Sequence, residues 1–357
     1  MPDQPQPAKP FVVVRGETPA DHALDGAVVA IGNFDGVHRG HRAVIAAVLA
    51  RAKALSRPAA ALTFEPHPRR FFRPDAPPFR LTDERAKLRL LAATGLNGAI
   101  VLPFDAALAG LSAHDFIARI LVSRFAVAGV AIGFDFHFGL NRAGSPDYLA
   151  AEGAKLGFAV DIVPPLEDEG RPVSSGAVRQ ALAAGKVVEA AELLGAPWFV
   201  SGEVIHGDKR GRTLGFPTAN IRLDPSCGLK HGIYAVRARV PVSAHSRVSG
   251  NPGAPGADAA GSLLSRGRAG ELFDGVASFG VRPMFDDGAP LLEVFLFDFE
   301  GELYGQAIDV AFIGWLRHEQ KFSSLEALKR HMLADCAQAR DALKRAGKAA
   351  FPVLREV

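Results

Sequence analysis

A chain of 357 residues exceeds what one hydrophobic core ordinarily organises, and a prior of ~150 residues per domain predicts two domains. With 48% hydrophobic and 22% charged residues it is neither disordered nor fibrous, and an excess of Lys and Arg over Asp and Glu of 41 − 38 = 3 predicts no nucleic-acid partner. Cys227 and Cys336, without CxxC spacing, exclude a disulfide framework, and the lack of a secretory signal or of an apolar run near the ~20 residues that span a bilayer predicts a cytoplasmic protein without a membrane partner.

The first half alternates β-branched runs with helical patterns, which predicts βαβ units and a parallel sheet covered on both faces. Ala27 to Ile31 reads as a strand, Val44, Ile45, Val48 and Leu49 share a face of the helix that follows, and Ala59 to Phe64 reads as the next strand. A helix near Asp83 to Ala92 and a strand at Ala99 to Leu102 continue the pattern. The capping box Ser112-Ala113-His114-Asp115 then opens a helix before a strand at Val127 to Ile132. Ser145-Pro146-Asp147 reads as N-cap, N1 and acidic first turn, and Gly157 as the C-cap glycine before a fifth strand at Ala159 to Val163.

Beyond Gly195 the pattern changes to short strands without helices between them: Ile233 to Val240, Gly275 to Phe279, Leu291 to Phe297 and Ala307 to Phe312. They predict a small antiparallel barrel. A helix from Leu325 to Lys344 follows, introduced by the capping box Ser323-Ser324-Leu325-Glu326. Residues 187–198 form the joint, so the expected domains are 11–186 and 187–350. Ser243 to Gly270, rich in Gly, Ala, Ser, Pro and Arg and without periodicity, reads as a flexible insertion within the second domain.

The sharpest chemical signal is Gly32-Asn33-Phe34-Asp35-Gly36-Val37-His38-Arg39-Gly40-His41, between a predicted strand and helix, where ligands bind in open α/β sheets. Gly36 and Gly40 allow backbone to approach a phosphate, His38 and His41 can donate ring N–H bonds, and the helix N-terminus adds partial positive charge. A zinc reading of the two histidines lacks further ligands at a recognisable spacing.

On these residues the chain resembles the HxGH nucleotidyltransferases, and the longer run is similar to the amino-terminal module of bacterial bifunctional riboflavin kinase/FAD synthetases. The resemblance extends through Thr63-Phe64-Glu65-Pro66-His67-Pro68, Gly133-Phe134-Asp135-Phe136-His137-Phe138-Gly139 and Val173-Ser174-Ser175-Gly176-Ala177-Val178-Arg179. It implies transfer of an adenylyl group from ATP to FMN, with Mg²⁺ assisting. His38, His41 and Arg179 would neutralise phosphate charge, Gly32 to Gly36 with Ser174 and Ser175 would contact the nucleotide, and His67 and Asp135 would contact the flavin; loop-stabilising bonds are the alternative for these last two. Gly176 and His137 depart from the Thr and Arg common in the family.

A second signal runs from Gly202 to Ile221. Gly207, Gly211 and Gly215 loosen a loop that carries Lys209, Arg210 and Arg212, a combination suited to folding over phosphates but without P-loop spacing. The run is similar to the riboflavin kinase module, in which the segment Pro217-Thr218-Ala219-Asn220 helps bind nucleotide phosphates and Mg²⁺; Thr218 and Asn220 offer hard oxygen ligands. Glu293 lies in an otherwise apolar strand, where a carboxylate without a task would be costly, and the resemblance makes it the base for the ribityl hydroxyl. Trp315 and Phe322 are candidates to flank the flavin ring, with barrel core as the alternative. Ser278 and Met284 stand where the family commonly has Asn and Thr.

The resemblance thus implies an α/β Rossmann-like HxGH nucleotidyltransferase domain followed by a small antiparallel β-barrel riboflavin kinase domain with a C-terminal helix. ATP, riboflavin and FMN are its expected small-molecule partners, and no tightly bound prosthetic group is expected. The competing readings are a riboflavin kinase with a weakened adenylyltransferase site and a non-catalytic flavin-binding regulatory protein.

Overall fold

Buried apolar runs build the first sheet. The structure, a computed structural model, describes residues 10–15, 22–168, 170–207, 215–241, 270–281, 290–347 and 351–357. They divide into two compact units, 1–175 with 353–357 and 176–352.

In the first unit, strands β1 (Val12–Arg15), β2 (Val28–Ile31), β3 (Ala59–Glu65), β4 (Gly98–Pro103), β5 (Gly129–Gly133) and β6 (Ala159–Val163) form one sheet in the order β1-β4-β3-β2-β5-β6. Every pairing in it is parallel. All of β2 and the first six residues of β3 are buried, as expected of strands covered on both faces. Between them runs α1 (Arg39–Leu55), which turns Val44, Ile45, Val48 and Ala52 inward. Five strands were expected and six are present. The addition, β1, is a four-residue strand that pairs with β4, far along the chain, and stands at the edge of the described sheet.

From β2 the chain steps outward through β3 to β4, then returns to the other side of β2 as β5 and β6. That reversal opens a crevice beyond the carboxyl ends of β2 and β5, the usual ligand position in such sheets. Around the sheet lie α2 (Pro68–Phe72), α3 (Glu84–Ala92), α4 (Ala106–Ala109), α5 (Ala113–Asp115) and α6 (Pro146–Leu156). Ser112 caps α5 by accepting from the Asp115 amide at 2.9 Å, and the helix then widens into a π-helical run, Phe116–Arg124. Ser145 caps α6 with Pro146 at its first turn, and Gly157 ends it at φ 86°, both as expected.

A ribbon of β7 (Glu167–Asp168) and β8 (Arg171–Pro172) leads to α7 (Ser175–Ala183), at whose first residue the division into units falls, and to α8 (Val187–Leu194). In the second unit β9 (Phe199–Ile205), β10 (Ala219–Arg222), β11 (Gly232–Val240), β12 (Glu271–Val281), β13 (Pro290–Leu296) and β14 (Ala307–Arg317) close into an antiparallel barrel. Closure leaves no unpaired edge. A final helix, α9 (Leu325–Ala346), packs across β11, β12 and β14. Its N-cap is Ser324, accepting from the Ala327 amide at 3.1 Å, one residue later than the expected capping box. The 243–270 insertion lies outside the described residues except for Gly270, and Met284 lies outside them as well. Among the described residues no helix is long and apolar enough to cross a membrane.

Candidate active sites

In the first unit the histidine loop leaves β2 and enters α1 with His38 as N-cap. His38 accepts from the His41 amide through Nδ1 at 3.3 Å, so the proton of its neutral ring sits on Nε2. The two imidazoles stack with centroids 3.6 Å apart, and Phe34 backs His41 edge-on at 5.2 Å. Burial, then His38, then Lys87 hold the His41 imidazole well below its ordinary range, so it is neutral at pH 7. Its Nδ1 is buried without a hydrogen-bond partner among the described residues. A Cβ on Gly40 would stand 3.1 Å from the His38 ring and from the Val173 carbonyl, so glycine lets the 173–175 segment lie directly against the loop. There the Ser175 hydroxyl donates to the Asp35 carbonyl at 2.9 Å.

The rest of the loop is fastened to the protein. Asp35 is buried, and its Oδ1 accepts from the amides of Leu81 and Thr82 at 2.9 and 3.1 Å. The Gly36 amide donates to Thr82 Oγ1 at 3.1 Å. Asn33 offers its carbonyl to Thr63 Oγ1 at 3.3 Å and to Lys87 Nζ at 3.5 Å. Lys87 also donates to Glu65 Oε1, which accepts from Arg80 as well, both at 2.7 Å. Sequence reasoning missed Lys87, Arg80 and Thr82: nothing in an ordinary helical lysine or a loop threonine marks it as buried.

Beyond β3, His67 caps α2 by accepting from the Arg69 amide at 3.1 Å. Beyond β5, Asp135 is exposed and its carbonyl meets His137 Nδ1 at 3.0 Å. Ser174 precedes α7, on which Arg179 lies; by the division above Arg179 falls in the second unit.

In the second unit the alternation of β13 buries Leu292, Val294 and Leu296 and turns Glu293 to the other face, half-buried. The register sets Glu293 beside Asn220 of β10 on one side and Ser278 of β12 on the other. All three line a cavity of about 590 Å³, with Gly207, Pro217, Thr218 and Phe322 among its other walls. Asn220 is buried, and its Oδ1 has no hydrogen-bond partner among the described residues. Gly207 presses on it so closely that an added Cβ would stand 2.3 Å from Asn220 Nδ2. Gly215 has φ 85°, a conformation favouring glycine. Lys209, Arg210, Gly211 and Arg212 lie outside the described residues.

At another wall, Arg317 grips the buried Asp335 with two bonds of 2.7 and 2.6 Å. The same guanidinium lies 5.9 Å from the Phe322 ring. Ser278 donates to Glu319 at 3.1 Å. Tyr304, another wall, lies tilted against the His206 ring with centroids 3.9 Å apart. Trp315 is placed elsewhere, under the Lys230 ammonium at 4.6 Å and against His318. Only the strand period could have separated these roles in advance, and it is ambiguous where β11 and β14 slip register.

Residues 20–177 match the FAD synthetase family, and residues 194–343 match the riboflavin kinase family. The chain is 41% identical to a bifunctional riboflavin kinase/FMN adenylyltransferase of Pseudomonas fluorescens, over 88% of this chain and 92% of that one. Proteins of the same name from Escherichia coli K12 and Bacillus subtilis 168 are 38% and 34% identical, over 93% and 91% of their lengths and 89% and 88% of this one. A crystal structure described as a macrolide-efflux protein from Streptococcus pneumoniae superposes with a TM-score of 0.73 at 28% identity, covering 93% of this chain and 99% of that one.

Proposed function

Because the chain belongs to the bifunctional riboflavin kinase/FMN adenylyltransferase family, it phosphorylates riboflavin to FMN and adenylylates FMN to FAD, and we propose that Glu293 serves the first reaction and the His38–His41 pair the second. The observation that carries the reading is the register that sets Glu293 beside Asn220 in the large cavity of the barrel.

In phosphorylation the ribityl hydroxyl oxygen attacks the γ-phosphorus of ATP, the bond to the bridging oxygen breaks, and ADP leaves. Glu293 takes the hydroxyl proton, a task that needs only modest basicity in a loose transition state. The buried Oδ1 of Asn220, without a partner among the described residues, and the hydroxyl of Thr218 fit a hard divalent cation and would hold Mg²⁺. When bound, the ion supplies neutralising charge to the phosphate oxygens. Phe322 offers its ring to the flavin from the cavity wall, whereas Trp315 packs away from it.

In adenylylation a phosphate oxygen of FMN attacks the α-phosphorus of ATP and pyrophosphate leaves. The attacking group is already an anion, so no protein nucleophile or base is required, and the work is positioning and charge stabilisation. His38 donates through Nε2, and neutral His41 stacks against it at the start of α1. Asp35 and Gly36 act through the loop they hold. His67 and Asp135, beyond the ends of β3 and β5, flank the FMN. The reading places the enzyme in the cytoplasm, where ATP is available and its two free cysteines stay reduced, and involves neither nucleic acid nor membrane.

Chromatographic separation of flavins tests the division. Glu293→Gln should abolish FMN formation from riboflavin while FAD formation from supplied FMN continues, and His41→Ala should do the reverse. Equal loss of both activities in either folded variant would refute the two-site assignment.

A further inference from the structure

Lys87 is 3% exposed, yet it carries an ammonium group. Taking that charge out of water is costly, and burial, the largest cause, leaves its pKa lowered although the neighbouring Glu65 raises it. An apolar side chain of similar length would fill the same space at lower cost. Fold stability alone therefore gives no reason for a lysine here.

What the ammonium touches gives one. It donates to Glu65 Oε1 at 2.7 Å, to Thr63 Oγ1 at 3.3 Å, and to the carbonyls of Asn33 and Phe64 at 3.5 Å. These acceptors belong to the start of the histidine loop and to the end of β3. We propose that Lys87 is a positioning residue for FMN adenylylation, fastening the Asn33 end of the histidine loop to β3 and holding a fixed positive charge near the His38–His41 pair. This inference rests on the reading of those histidines as the adenylyl-transfer groups.

The same charge bears on His41. Burial is the largest cause of its lowered pKa, and His38 and then Lys87 lower it further. Of the cations on its own helix, Arg39 is paired with Asp168 at 2.9 Å and Arg42 donates to the Val37 carbonyl at 3.2 Å. Removing the Lys87 charge should therefore move the His41 titration upward. Glu65 would remain paired with Arg80, so the change leaves no lone buried carboxylate.

The test uses the full chain with Lys87→Met, Lys87→Arg and His41→Ala, measuring FAD formation from FMN and MgATP and following the histidines by NMR after ¹³C-imidazole labelling. Lys87→Met should lower kcat for FAD formation at least about tenfold, leave riboflavin phosphorylation at its normal rate, and raise the His41 pKa. Lys87→Arg, which keeps the charge, should stay within about tenfold of the unaltered enzyme with the His41 titration in place, and it decides the matter if the methionine variant does not fold. Normal FAD formation by folded Lys87→Met beside an inactive His41→Ala overturns the role of Lys87. So does a loss of rate in both lysine variants with His41 titrating as before, which marks a purely structural residue. A fully active His41→Ala would instead overturn the reading of the site, and this inference with it.

Discussion

Replacing Gly207 by Ala should disable the kinase through Asn220. The added Cβ would lie 2.3 Å from Asn220 Nδ2 and 2.9 Å from its Cγ, against an ordinary contact of at least 3.4 Å, so the two must separate by about 1 Å. The amide cannot swing away cheaply: it is a short side chain on a barrel strand, 5% exposed and in register with Glu293. If Asn220 holds phosphate and metal as proposed, a displacement of about 1 Å costs on the order of 100-fold in rate, or roughly 2.7 kcal/mol of transition-state stabilisation. Initial rates of FMN formation at saturating MgATP measure the effect, with FAD formation from FMN in the same preparation as the internal control. Adding Gly207→Ala to an Asn220→Ala chain should cost little more, because both changes act on one group. A single Gly207→Ala variant within threefold of normal kcat would refute the reasoning.

Two further predictions concern the first unit. Asp35→Ala removes the acceptor for two buried amides, of Leu81 and Thr82, and should lower the stability of this unit by roughly 2–5 kcal/mol; its calorimetric transition should fall while the barrel's stays in place, and a loss below about 1 kcal/mol would contradict the role assigned to Asp35. His41 has a folded pKa below the ordinary 6.5, so the stability it contributes is complete above that pH and declines as the pH falls toward the folded value, where the unfolded chain binds the extra proton. His41→Gln should flatten the dependence of the first unit's Tm on pH between 6.5 and 5 by up to about one proton's worth, and an unchanged slope would show that the imidazole is not held neutral.

Much of this protein was legible in residue order because the responsible forces are local. The apolar run of β3, the Ser145-Pro146 start of α6 and the left-handed Gly157 at its end each depend on residues within a turn or a strand's length. The histidine loop and the Pro217 to Asn220 segment were visible as well, since phosphate chemistry requires particular residue types at close spacing. Tertiary structure decided what such signals do not contain. It added β1, whose partner β4 is remote in sequence, and it chose Ser324 over Ser323 as the cap of α9. It made Asp35 a fastener of its own loop, put Phe322 on the cavity wall and Trp315 away from it, and buried Lys87 against the histidine loop and the end of β3. A side chain's burial and hydrogen-bond partners are set by whatever the fold brings against it, and those neighbours come from segments that a local pattern cannot see.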